Sequence, residues 1–239
     1  MSESSPSAGV HAGELRLLAG GGIAGPLTAL APQLERACGR KVVFRFGTTP
    51  QLIAAAISGD PFDAAVTPRE VFDDAAARAR FVSGPLTAIA RVGLGVAVRS
   101  GTAKPDIGTP EAFKRALIAA RSIATVPESA AGAQIRRAFA RLGIAEAIAE
   151  RIRAQSGPAA IVEAVAAGRA ELGLFLINVL IAPGLDLVGP FPGDLQAEVE
   201  FLAAVAARPA ELEAARAFIA FLKSPEAAAV IKAKGMTPG

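Results

Sequence analysis

The chain predicts a two-lobed α/β protein, each lobe a mostly parallel sheet flanked by helices, with two long crossover strands joining the lobes. Three observations lead there. Between residues 14 and 80, an apolar run, a turn and a helical period follow one another three times. That is the rhythm of a parallel sheet with right-handed crossovers. Residues 110–177 hold a second series of the same kind. Residues 88–99 and 198–207 are longer strand-like runs, and they sit where the chain would pass between the two series.

Residues 14–19 form the first buried strand, and Gly20-Gly21-Gly22-Ile23-Ala24-Gly25 turns the chain into a helix over 25–38 that Gly39 stops. Pro26 suits the first helical turn, where its missing N–H would have been unpaired. The second strand is 41–46, and Gly47-Thr48-Thr49-Pro50 opens a helix to residue 57. Ser58-Gly59-Asp60-Pro61 breaks it, 62–66 is the third strand, and Thr67-Pro68-Arg69-Glu70 is another capped helix start.

The long strand 88–99 carries Gly93 and Gly95 and leads into a polar linker, 100–109. Helices at 110–120, 131–142 and 159–167 then alternate with strands at 122–126, 151–155 and 171–177. A short strand at 185–188, a loop at Pro190-Phe191-Pro192-Gly193 and the second long strand follow. Helices at 210–222 and 225–232 return to the first lobe. The expected division is a tail (1–13), lobe 1 (14–90 plus 206–239), lobe 2 (98–198) and hinge strands at 91–97 and 199–205. Two crossings let a cleft open and close, and both lobes present the carboxyl ends of their parallel strands to it.

Composition removes several classes of function. The 239 residues carry a net charge of +3, and their Lys and Arg are scattered among Asp and Glu without a basic tract. With neither Trp nor Tyr, nothing reads as a nucleic-acid footprint. His11 is the only histidine and lies in the polar tail, which excludes Ser-His-Asp and Cys-His catalysis. Cys38 is the only cysteine, so there is no intrachain disulfide and no cysteine-rich metal site; it fills space at the end of the first helix. No apolar run is long enough for a membrane span. No metal and no cofactor are expected, and the protein is expected to be a monomer. Residues 1–13 have neither a basic start nor an apolar run. A complete chain would therefore be cytoplasmic; one whose leader has been removed would be periplasmic.

The first turn fits two kinds of site. It satisfies G-x-G-x-x-G between a strand and a helix, the position of a dinucleotide fingerprint. The acid that should grip a ribose is missing, since the second strand ends Phe44-Arg45-Phe46-Gly47-Thr48, and no Tyr is present as a hydride-transfer acid. The other kind of site is a cradle for a small anion. Gly21 and Gly22 at the first junction supply N–H groups, and Thr48 and Thr49 at the second supply hydroxyls beside a helix start. Ser129, Ala130, Ala131 and Gly132 form a third junction, and Ser156-Gly157-Pro158-Ala159-Ala160 a fourth, with Ala159 as its donor. Each alone is ordinary helix capping; four converging on one cleft suit an oxyanion or carboxylate.

These pieces, in this order, resemble the periplasmic molybdate-binding protein family, the type II solute-binding proteins of ABC importers. The similarity runs from Leu15 to Gly235. It rests on the small-residue turn, Thr48-Thr49, the run "GDPFDAAVTP" at 59–68, Val126-Pro127 with Ala131-Gly132, Glu171-Leu172-Gly173-Leu174, and the ending 217–228. The resemblance implies a periplasmic-binding-protein-like type II fold, a small anionic ligand and, for an exported chain, an ABC permease as partner. The family holds its oxyanion with serine hydroxyls in the first turn, a backbone N–H at the fourth junction and a tyrosine hydroxyl after the Glu171 strand. Here those places hold Gly21-Gly22, Pro158 and Leu176, with Asn178 the only polar residue near the last. Each hydrogen bond lost to a buried anion costs about 1.5–3 kcal/mol. Molybdate is therefore disfavoured, and a larger organic carboxylate is expected in a first turn widened by its glycines. Aconitate isomerase resembles the same family, so an isomerase of unsaturated carboxylic acids is the alternative. Its base would be Glu128, the acid nearest a ligand turn, which is otherwise a helix-start carboxylate favoured by the dipole.

Overall fold

In a computed structural model of the chain, the described residues are 13–239; the rest of the tail, with His11, lies outside them. The first half contains β1 (Glu14–Gly20), a 3-10 turn (Gly21–Ile23), α1 (Ala24–Cys38), β2 (Lys41–Gly47), α2 (Thr49–Ile57), β3 (Ala64–Pro68), α3 (Arg69–Asp73) and α4 (Ala75–Arg78). After β4 (Thr87–Arg99) come α5 (Pro110–Ala119), β5 (Ile123–Thr125), α6 (Ala130–Arg141), β6 (Ile152–Ala154), α7 (Pro158–Ala166) and β7 (Leu172–Leu176). The chain ends with α8 (Ile177–Leu180), β8 (Leu185–Pro190), β9 (Glu198–Val205), α9 (Leu212–Leu222), α10 (Pro225–Ala233) and β10 (Thr237–Pro238).

Each lobe is built on three parallel strands. β1 lies between β2 and β3, and β5 lies between β6 and β7. The antiparallel pairings all involve the long strands β4 and β9. From Leu17 onward β1 is buried on both faces, which is why its sequence is apolar there. Leu15 and Leu17 point to one cluster, with Ile23 and Leu27 of the first turn and helix and Phe218 of α9. Leu18 points the other way, to Leu52, Phe62, Phe72 and Phe81. α9 and α10 return to pack on α1. Asp63 anchors that return. Its buried carboxylate accepts from Arg16 N at 2.8 Å, Ala210 N at 2.7 Å and Glu211 N at 3.0 Å.

β4 is the strand shared by the two lobes. As far as Gly93 it pairs with β9, and from Leu94 onward with β7 and β8. At the switch the Gln196 side chain takes the place of a strand neighbour: its Oε1 accepts from Leu94 N at 2.9 Å and its Nε2 donates to Leu94 O at 2.9 Å. A methyl group on Gly93 would lie 2.9 Å from Gln196 Nε2, so only glycine lets that amide come so close. β9 lies between β3 and β4, pairing with β3 through residues 201–205 and with β4 through residues 198–203. Two short elements are absent from the sequence pattern. Strand 171–177 stops at Leu176 and turns into α8, and β10 adds two residues to β4. Neither is long enough to show a period.

Candidate functional site

Sheet register places the helix starts. Gly20 pairs with Gly47 across β1 and β2, so the turn into α1 and the start of α2 emerge side by side. Thr125 pairs with Ala154 across β5 and β6, which does the same for α6 and α7. The two pairs meet around a cavity of about 340 Å3 of empty space, part of it continuous with solvent. Gly21, Gly22, Gly47, Thr48 and Thr49 line it from lobe 1. Ser129, Ala130, Ala131 and Pro158 line it from lobe 2, with Val126, Phe175 and Leu176 at strand ends. Pro68, Val199 and Phe201 complete it. No Asp, Glu, Lys, Arg or His is among these lining residues. What the cavity offers is hydroxyls and amides, a donor set for an anion.

The first turn is tightly packed, which corrects the expectation of a pocket widened by glycine. A methyl group on Gly22 would lie 2.4 Å from Leu176 Cδ1 and 3.0 Å from Phe201 Cζ. On Gly21 it would lie 3.1 Å from both Cγ and Cδ of Pro158. The space a serine side chain would need is already filled by carbon.

The second and third junctions keep their polar groups. Thr48 N donates to Gln51 Oε1 at 2.9 Å, holding the entry to α2. Ser129 caps α6: its Oγ accepts from Gly132 N at 3.0 Å and donates to Val126 O at 2.7 Å. Gly132 thus stands behind the cavity. A methyl group there would lie 2.2 Å from Val126 O, so the helix start packs on the turn only through glycine. Ala131 N, at the second helical position, has no acceptor within the helix. Across the gap, Ala130 N donates to Thr49 Oγ1 at 3.1 Å.

The remaining sequence-predicted residues sit at the margins. Ala159 is exposed, and Pro158 ahead of it faces the cavity. Asn178 Nδ2 donates to Gly22 O at 2.8 Å, so this side chain ties α8 to the first turn across the gap. Its Oδ1 is buried without a partner. Glu128 is exposed and lines an adjoining outer groove with Glu70 and Arg136; that groove shares Thr49, Ser129 and Ala130 with the cavity. Sequence reasoning missed Phe175 on β7, took Pro68 of β3 only as part of a capped helix start, and missed Val199 and Phe201 on β9. That strand is outside the strand–turn–helix series, so no junction marked it.

Two α/β lobes sharing one long strand, with paired helix starts facing a gap, define a solute-binding protein of the type II periplasmic class. Residues 15–237 match the family described as bacterial extracellular solute-binding protein, and the chain belongs to it. It is 34% identical to an aconitate isomerase from Pseudomonas sp over 94% of this chain and 87% of that protein. It is 30% identical to the molybdate-binding protein ModA of Azotobacter vinelandii over 94% of this chain and 90% of that one. Its fold matches the sulfate-binding protein SubI from Mycobacterium tuberculosis H37Rv with a TM-score of 0.75 at 16% identity, over 95% of this chain and 87% of that chain. Among the described residues no helix is long and apolar enough to cross a membrane.

Proposed function

We propose that this protein holds a small anion, an organic carboxylate or a tetrahedral oxyanion, between its lobes and delivers it to an ABC permease outside the cytoplasm. The observation that carries this is the convergence of the α1, α2 and α6 starts on one cavity lined by no charged side chain. Helix-start amides and hydroxyls favour negative charge there. The lobes, residues 14–90 plus 206–239 and 98–198, would close about residues 91–97 and 199–205, aided by the switch at Gly93 and Gln196. A thermal-shift screen against oxyanions and mono-, di- and tricarboxylates tests the reading. Ligand at 100 times its dissociation constant stabilises by about 2.7 kcal/mol, roughly 5–11 °C for a chain this long. Absence of any shift would overturn it.

The 34% identity to an aconitate isomerase supports a second reading, isomerisation on the same scaffold. Moving a proton next to a carboxylate needs a base in reach of the substrate. The lining residues supply no titratable side chain, and Glu128 lies in the outer groove. Incubation with cis- and trans-aconitate, followed by NMR, separates the two readings. A new isomer formed by wild type and lost in Glu128→Gln would establish the second.

A further inference from the structure

The cavity has two kinds of wall. Resting on the reading of this cavity as an anion site, we propose that its ligand is a monocarboxylate with a short apolar body, bound in preference to tetrahedral oxyanions and polycarboxylates. The polar wall consists of Thr48, Thr49 and the Ser129–Ala131 start of α6. Part of its donor capacity is already committed: Thr48 N to Gln51, Ser129 Oγ to Val126 O, Ala130 N to Thr49. The side chains of the other wall are carbon. Pro158 closes over Gly21, Leu176 and Phe201 close over Gly22, and Val199 lies beside Phe201. Proline leaves the α7 start no N–H at its first helical position, next to the first turn.

A tetrahedral oxyanion carries acceptors in every direction, so some of its oxygens would be buried against carbon without a partner, at the full cost of desolvation. A carboxylate gathers both oxygens at one end and carbon at the other, matching the division of the walls. The lining contains no cationic side chain for a second or third carboxylate. The space between the walls is narrow, about 30 Å3 of water-accessible volume, which limits the body to a few carbons.

Isothermal titration of the full protein, freed of bound solute by dialysis, tests this with acetate, butyrate, crotonate, isovalerate, molybdate, sulfate and both aconitates. Affinity is expected to rise from acetate to butyrate by about fourfold for each added methylene, the equivalent of about 0.8 kcal/mol. Molybdate, sulfate and aconitate are expected to bind at least about 100-fold more weakly than the best monocarboxylate, two lost hydrogen bonds being enough for that. Tighter binding of molybdate, sulfate or an aconitate overturns the proposal and leaves the anion site standing. No binding by any of them overturns both. Leu176→Ala, which deepens the carbon wall, should improve isovalerate relative to butyrate and leave acetate unchanged; an unaltered ranking overturns the placement of the tail. If Leu176→Ala does not fold, Val199→Ala, which also enlarges that wall, gives the same comparison.

Discussion

The four helix starts form two unlike pairs, and each pair spans the gap. α2 and α6 keep their hydroxyls and meet through a hydrogen bond, Ala130 N to Thr49 Oγ1 at 3.1 Å. The turn into α1 and the start of α7 carry no side-chain donor there, and they meet through carbon, Pro158 against Gly21. The local architecture is the same in all four places: a strand, a turn and a helix entry. One residue at each entry decides whether that start can bind charge. A strand–turn–helix unit therefore supplies a position and a dipole, while the residue at its first helical turn sets the chemistry.

Turning a polar start into an apolar one should have the largest effect. Ala130→Pro removes the N–H that reaches Thr49, at a first helical position where proline is accepted. Ser129 before it already has the extended backbone that a following proline requires, with φ −95° and ψ 165°. The helix should persist while anion affinity falls about 2- to 10-fold, the worth of the neutral hydrogen bond that links α6 to α2 across the gap. Circular dichroism checks the helix and titration checks the affinity; unchanged affinity would remove α6 from the site. The reverse exchange, Pro158→Ala, restores an N–H beside the first turn. It should improve oxyanion binding about tenfold and leave a monocarboxylate nearly unchanged.

Gln196→Ala tests whether the pairs depend on the strand switch behind them. It leaves the Leu94 N–H and C=O without their side-chain partners where β4 passes between lobes. A loss of about 1–3 kcal/mol in denaturant unfolding is expected. Anion affinity should drop less than with Ala130→Pro. An affinity loss as large as that one would show that the crossing, and not the helix start, sets the site.

The strand–turn–helix units were legible in the sequence because their signals are local. Pro26, Gly39, Thr48-Thr49 and Ser129 each mark an element boundary within a few residues of where it falls. The gathering of Gly21, Gly22, Thr48, Thr49, Ser129, Ala130 and Ala131 around one cavity was also anticipated, since parallel register carries neighbouring helix starts to one edge. Packing between distant segments was not legible. Gly21-Gly22 reads as added room until Pro158 and Leu176 are seen to occupy it. Asn178 reads as a ligand donor until the four-residue α8 turns its amide toward Gly22 O. Asp63 looks like an ordinary strand-edge acid, although it accepts from backbone groups of two distant segments, Arg16 and Ala210-Glu211.

The smallest expected effect bears on both pairs at once. Because neither wall carries a titratable side chain, affinity for a carboxylate should change less than about twofold between pH 6 and 9, where the ligand itself stays ionised. Cys38 does not disturb that range. Burial pushes its thiol up to about 11, and it sits at the far end of α1, about 20 Å of helix from the first turn. Below pH 6 affinity should fall as the ligand takes up a proton, because only its charged form is drawn to the helix starts. The fall should follow the ligand's own titration, shifting when one carboxylic acid is replaced by a stronger one. A bell-shaped profile, or a midpoint that stays fixed when the ligand is changed, would place an acid or base of the protein against the bound solute. That result would move the balance from binding toward isomerisation, because a proton-transfer group is what the neutral lining does not provide.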